Sequence, residues 1–184
     1  MKIPNHAKKV FKGILFDVYQ WDQEMFDGST ATFEALKRND TAVIIPVVGG
    51  KIMVLDEEQP HHEPFRSLPG GKLEESEDHL SAAKRELLEE TGYASEDWEQ
   101  FMVYDPMMKM EWSVHIYIAR DCKKQQEPAL DNGEKVTPQF ITFDEFLMLS
   151  EDTKFRGNEL LIELLKLRLD EKLREEFKRK LFKQ

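Results

Sequence analysis

Between Gly71 and Tyr93 the chain reads GKLEESEDHLSAAKRELLEETGY, and several of its acids are placed to act together. Glu86 and Glu90 are four residues apart and Glu89 is three from Glu86, so a helix carries their carboxylates on one side. Like charges so close repel unless a cation sits among them. Carboxylate oxygens are hard ligands that suit Mg²⁺ or Mn²⁺ rather than zinc. Arg85 offsets part of the repulsion by pairing with a carboxylate, Glu77 being the candidate. The plain alternative is a solvated helix face, the ordinary fate of Glu-rich segments.

The glycines decide between these readings. The run matches G-x5-E-x7-R-E-U-x-E-E-x-G-U at Gly71, Glu77, Arg85, Glu86, Glu89, Glu90 and Gly92, with Leu87 at the first apolar position U. Chance agreement is on the order of 10⁻⁶ for a chain of ordinary composition and this size. The final apolar position holds Tyr93, a departure that bears on packing more than on metal chemistry.

On this motif the sequence resembles the Nudix hydrolases. FEALKRNDTAVIIPV and LDNGEKVTPQFITFDEF look like the ADP-ribose pyrophosphatase branch, as does an N-terminal sheet with a closing helix. The chain departs from that branch at Phe33, where an arginine is typical, and at Gln59-Pro60-His61, where Gln-Tyr-Arg is typical. The resemblance implies an α/β/α sandwich with a mixed sheet, preceded by a small antiparallel sheet. Residues 1–40 would form that sheet and 41–184 the hydrolase domain. It also implies that Glu86 and Glu90 bind Mg²⁺ or Mn²⁺, with Glu89 a further ligand or proton acceptor and the Gly70 carbonyl another oxygen. Glu89, Glu134 and Arg85 form the catalytic set, Glu134 being the candidate base from a loop outside the motif. A surface turn acid is the alternative for Glu134. Trp21, Phe26 and Arg66 are the candidate substrate contacts, although Trp21, Tyr19 and Phe26 also suit a core or an interface.

The elements that must position these residues are legible in outline. VFKGILFDVYQW and STATFEALK, with a turn at Asp27-Gly28, read as strands of an N-terminal sheet. TAVIIPV (41–47) and KIMVL (51–55) read as a hairpin through Gly49-Gly50, and 57–66 as a loop. A helix follows from about Glu77 to Glu90, with Ser76 as N-cap and Leu80, Ala83 and Leu87 as its apolar stripe. Strands are expected at 98–104, 112–119 and 139–143, then a short helix at 144–149. Asp131-Asn132-Gly133 reads as a turn before Glu134. Leu161, Leu165, Leu169, Leu173, Phe177 and Leu181 recur every four residues, which predicts one long helix over 158–182.

Composition bounds the function. Of 184 residues, 34% are charged and 40% hydrophobic, with mean hydropathy −0.58, which suits a soluble globule with a real core and no membrane span. The N-terminus carries no pattern of a secretory signal, and one cysteine cannot form an internal disulfide, so a cytoplasmic protein is expected. Net charge −10 opposes nucleic acid as a partner, and the basic end around Lys178–Lys180 and Lys183 suits a helix C-terminus. His61-His62 read as loop residues rather than metal ligands.

The expected activity is hydrolysis of a nucleoside diphosphate linked to another moiety X. The alternatives are a house-cleaning triphosphate pyrophosphatase and a non-catalytic nucleotide sensor; retention of every motif carboxylate opposes the latter. Aromatic residues Phe11, Phe16, Tyr19, Trp21 and Phe26 on the first sheet predict a homodimer, unless the C-terminal helix folds back over them.

Overall fold

In the computed structural model, which describes residues 1–60, 62–105, 109–130 and 132–183, the chain opens with strands β1 (Lys8–Lys12), β2 (Asp17–Glu24) and β3 (Thr30–Lys37). Next come β4 (Thr41–Val48), β5 (Lys51–Glu58), β6 (Phe65–Ser67), β7 (Gly70–Lys72) and helix α1 (His79–Thr91). Strands β8 (Tyr93–Ala94), β9 (Asp97–Tyr104), β10 (Met110–Glu111), β11 (Val114–Arg120), β12 (Lys123–Lys124) and β13 (Lys135–Ile141) follow. Helices α2 (Phe143–Met148), α3 (Asn158–Leu169) and α4 (Glu171–Phe182) close the chain.

The main sheet runs β13-β5-β4-β11-β9, with β6 on β5 and β7 on β4. It is mixed: β4 and β11 are parallel from Thr41↔Val114 to Pro46↔Ala119, whereas β9, β5 and β13 pair antiparallel. Buried on both faces, β4 reads as a nearly continuous apolar run. Its alternating side chains serve two layers. Ala42 and Ile44 pack with Ala82, Ala83 and Leu87 of α1, while Val43, Ile45 and Val47 join Phe146, Leu160, Leu164, Phe177 and Leu181 from α2–α4. This is the α/β/α sandwich expected from the sequence.

The small sheet has the order β1-β2-β3-β10, so the N-terminal strands are completed by Met110–Glu111 from far along the chain, running parallel to β3. Lys37 pairs with Glu111, and Glu111 also accepts from the Ile3 amide. The structure therefore ties the N-terminal sheet to the segment just before β11.

Three local expectations are corrected. Helix α1 begins at His79 and its cap is Asp78 rather than Ser76; the Asp78 carboxylate accepts from the amides of Leu80 (3.0 Å) and Ser81 (3.1 Å). The segment expected as a loop from Glu57 still belongs to β5 through Glu58 and re-enters the sheet as β6. The closing helix is two helices, because Asp170 leaves helical geometry and caps α4 through the Leu173 amide (3.1 Å). An every-four repeat drifts about 40° per step on a helix, so the proposed stripe wanders off the core: Leu160, Leu164 and Leu167 are buried whereas Leu169 is 89% exposed. Helices α3 and α4 pack on the main sheet, not on the N-terminal one. Among the described residues no helix is long and apolar enough to cross a membrane.

Candidate active site

Helix α1 holds the acids in register because its buried stripe of Ala82, Ala83 and Leu87 fixes its rotation against β4 and β11. Gly92 ends it in the left-handed conformation, φ 72°, with its amide donating to the Leu88 carbonyl. Beside that stripe, toward β7, Glu86, Glu89 and Glu90 line a cleft of ≈ 430 Å³ together with Gly70, Gly71, Arg85 and Glu134. The structure thus brings the motif carboxylates and the loop acid Glu134 to one place. Asp131, assigned to the preceding turn, lies outside the described residues, as does His61; Asn132 and Gly133 do form a turn.

Arg85 organises the near wall. Its guanidinium donates to Glu77 (Nε 3.0 Å, Nη2 2.9 Å), Glu86 (2.8 Å), Glu89 (3.1 Å) and the Lys72 carbonyl (3.2 Å). The Glu77 partner inferred from the sequence is therefore the one that takes the fork of the guanidinium. This surrounding of acids raises the affinity of Arg85 for its proton further above the ordinary arginine value.

Glu90 is different. Its hydrogen-bond donor is the Gly70 amide (2.9 Å), and it has no cationic partner among the described residues. Burial, reinforced by the charges of Glu86, Glu57 and Glu134 and opposed by the Gly70 amide, pushes its carboxyl up to about 9. Glu86 is also raised, by burial first and by Glu89 and Glu77 next, with Arg85 pulling against them. Gly71 permits this closeness, since a Cβ there would overlap the Glu86 carboxylate.

The sequence places Glu57 at the start of a loop, yet its charge is felt at Glu90. Strand β5 extends far enough to pair Glu57 with Val136 and Phe65, and its carboxylate accepts from the Ser67 hydroxyl. Gln59 lies between Glu57 (3.4 Å) and Glu134 (3.5 Å). Burial raises the Glu57 carboxyl as well, against the Ser67 contact and with Glu134 adding to the shift. The available signal was the run of acids continuing an apolar strand, KIMVLDEE.

The three candidate substrate contacts are not part of this cleft in one chain. Trp21 is 6% exposed, packed at 6.0 Å from the Phe33 ring, with its indole donating to Gln23. Phe26 is fully exposed at the tip of the β2–β3 turn. Arg66 pairs with Asp56 (2.9 Å) and Asp152 (3.3 Å) and lines a separate cleft, because β6 turns it toward the loop before α3.

A half-buried group of carboxylates beside a glycine-lined backbone, with Glu90 lacking a cationic partner among the described residues, is a repulsive place for any anion and an attractive one for a divalent cation. Comparisons with known proteins agree with that chemistry. The NUDIX domain model matches residues 37–164. A methanol dehydrogenase activator from Bacillus methanolicus is 28% identical over 173 residues, covering 91% of this chain and 93% of that protein. An ADP-ribose pyrophosphatase from Bacillus subtilis (strain 168) is 30% identical over 149 residues, covering 78% of this chain and 80% of that one. Among solved structures, an ADP compounds hydrolase superposes with a TM-score of 0.69 at 20% identity, covering 90% of this chain and 92% of that one, a likeness of fold.

Proposed function

The chain belongs to the Nudix family as a Nudix hydrolase, and from that premise we propose that it cleaves the pyrophosphate of a nucleoside diphosphate linked to a moiety X, of ADP-ribose or nucleotide-sugar type. The products are a nucleoside monophosphate and X-phosphate. The observation that carries this reading is the convergence of Glu86, Glu89, Glu90 and Glu134 on one cleft beside Gly70 and Gly71. The Bacillus subtilis relative, named an ADP-ribose pyrophosphatase, supports the substrate class.

The donor set fits Mg²⁺ or Mn²⁺. All the candidate ligands are oxygens, and burial, with the neighbouring acids, disfavours the charged forms of Glu90 and Glu86, a cost that a cation would relieve. Glu86, Glu90, Glu89 and the Gly70 carbonyl would hold it, supplying Lewis-acid polarisation of phosphoryl oxygens and a lowered pKa for bound water. The chain's own groups do the rest. Gly70 and Gly71 let β7 lie close against the Ala42 backbone and the Glu86 carboxylate, where a Cβ would clash. Arg85 holds Glu86 and Glu89 at fixed positions on the helix and so acts as a positioning residue. Glu134, from the opposite wall, accepts the proton of the attacking water as the P–O bond to the leaving phosphate breaks.

Two further parts of the proposal concern setting. The protein works in the cytoplasm on a small nucleotide. It does so as a homodimer, because Phe11, Ile14, Leu15 and Phe26 on and around the first sheet are exposed apolar groups that a second copy would cover. A mass near the 21.6 kDa of one chain in light scattering would reject the dimer. In a dimer Trp21 and Phe26 belong to the shared sheet surface, where the substrate role assigned to them can be tested by mutation.

Incubation of the purified protein with Mg²⁺ and a panel of ADP-ribose, nucleotide sugars and nucleoside triphosphates tests the reading. Phosphatase-sensitive monoesters should appear from the ADP-ribose or nucleotide-sugar class. Pyrophosphate released from triphosphates alone would overturn it in favour of a house-cleaning enzyme. No turnover of any substrate would favour a sensor. The Bacillus methanolicus relative favours a second reading, action on a partner dehydrogenase, which predicts a rate change when this chain is added to such an enzyme.

A further inference from the structure

Away from the acidic cleft, residues from three distant parts of the chain converge. Asp40 precedes β4, His79 is the first residue of α1, and His115 is the second residue of β11. Asp40 Oδ2 lies 3.1 Å from His79 Nε2 and 3.8 Å from His115 Nε2. The two imidazoles stack with centroids 3.5 Å apart and planes at 24°. One ligand atom from each of the three residues falls within 4.8 Å of the others. Ligand atoms around a tetrahedral zinc, with bonds of about 2.0–2.1 Å, stand about 3.3 Å apart, so the contacts to Asp40 have the spacing of a nearly formed coordination shell.

The groups behind these atoms are set for the same task. The Ser113 amide donates to Asp40 Oδ1 (2.8 Å), which leaves Oδ2 to face both imidazoles. The Gln100 side-chain amide sits 3.3 Å from His115 Nδ1. Here the Gln100 amide nitrogen donates to Nδ1 and orients the ring; metal binding at Nε2 would require that amide to turn so that its oxygen accepts from Nδ1–H. All three side chains are half-buried, which leaves access for an ion and a water.

We propose that Asp40, His79 and His115 form a second metal site, separate from the carboxylate cleft and selective for a borderline ion such as Zn²⁺ over Mg²⁺. Two imidazole nitrogens and one carboxylate oxygen suit zinc, with water as the fourth ligand, whereas Mg²⁺ favours all-oxygen surroundings. His79 stands seven residues before Glu86 on α1, about 10 Å along the axis, so the two sites do not share ligands. An ion here would tie the starts of α1 and β4 to β11.

The test is equilibrium dialysis and thermal melting of the EDTA-stripped full chain against Zn²⁺, with millimolar Mg²⁺ present to occupy the carboxylate cleft. Wild type and Glu90→Gln should each retain one equivalent of Zn²⁺ and melt higher with it. His115→Gln and His79→Gln, checked as folded by circular dichroism, should lose at least about tenfold in Zn²⁺ affinity and lose the rise in melting temperature. Their Mg²⁺-dependent hydrolysis, measured without Zn²⁺, should be unchanged. Zn²⁺ binding that survives in both histidine variants, or vanishes only in Glu90→Gln, would overturn the site. Wild type that takes up no Zn²⁺ would reduce the cluster to a proton-dependent ion pair and also overturn it.

Discussion

Two groups of charges on this molecule are built from the same residue types and arranged to opposite ends. At the edge formed by β9, β11 and α4, Arg120 is 4% exposed and reaches Asp97 (3.1 Å), Glu99 and the Lys180 carbonyl, while Lys180 and Lys183 add pairs to Glu99 and Asp97. Each acid there meets a cation, and its carboxyl lies below its ordinary range, Glu99 through Arg120 and Asp97 through Lys183 first. In and beside the cleft, Arg85 answers Glu77, Glu86 and Glu89, but Glu90 has an amide for a partner and nearby Glu57 a hydroxyl and the Gln59 amide, and both carboxyls lie above their ordinary range. One cluster is satisfied by the chain itself. The other is incomplete without a ligand, and that incompleteness marks the site of function more sharply than the number of acids does.

The contrast breaks first at Glu90. Glu90→Gln keeps the shape and removes the charge, and should lower kcat at least ~10²-fold with an unchanged circular dichroism spectrum. A wild-type rate would mean that the cation is held elsewhere. Glu134→Gln should cost on the order of 10² in kcat, the scale of general base catalysis, while Mg²⁺ affinity is retained. A near-normal rate would move the base to Glu89. At the other cluster, Arg120→Met should destabilise the fold by about 2–3 kcal/mol, because it removes the buried cation and its bonds to Asp97, Glu99 and the Lys180 carbonyl, leaving the acids only the outer lysines, and should leave KM alone. Urea unfolding reads this directly. A loss below about 0.5 kcal/mol, the range of ordinary surface substitutions, would erase the distinction between the two clusters.

A further effect on stability concerns pH. Asp97 and Glu99 are held low, so their contribution is present above the normal carboxylate range and is lost as pH falls through their folded values. Glu90 has the opposite sign. Its folded value of about 9 against an ordinary 4.5 means that the metal-free folded state binds the extra proton between those limits. Its contribution to stability is full below that window and declines as pH climbs through it. Metal-free wild type should therefore lose more melting temperature between pH 5 and pH 8 than Glu90→Gln does. Equal slopes would show that the Glu90 carboxyl is not held high.

The sequence made the cleft legible because its chemistry is local: one helix, one glycine turn and a 3.6-residue period place Glu86, Glu89 and Glu90 together before any tertiary contact is known. Glu134 was readable as a loop acid, but its arrival opposite the helix depends on the register of β13 against β5. Glu57 depends on the same register, and an acid that follows a strand reads as a loop residue until that pairing is known. Trp21 and Arg66 have the right chemistry for a nucleotide, but Phe33 packing and the Asp56 and Asp152 carboxylates engage them elsewhere. The break at Asp170 was a local capping signal masked by an every-four leucine repeat. Asp40, His79 and His115 carry no shared spacing at all, since only the sheet and the start of α1 bring them together.

Burial holds the Glu90 carboxyl well above the ordinary range in the metal-free protein, and a cation bound there would displace its proton. Calorimetric titration of Mg²⁺ into metal-free protein at pH 7, repeated in buffers of different ionisation enthalpy, measures the protons released on binding. With the Glu90 carboxyl at about 9, wild type should release close to one proton per bound ion, and Glu90→Gln should release markedly fewer. Binding of Mg²⁺ with no proton release in wild type, or with the same release in Glu90→Gln, would contradict it.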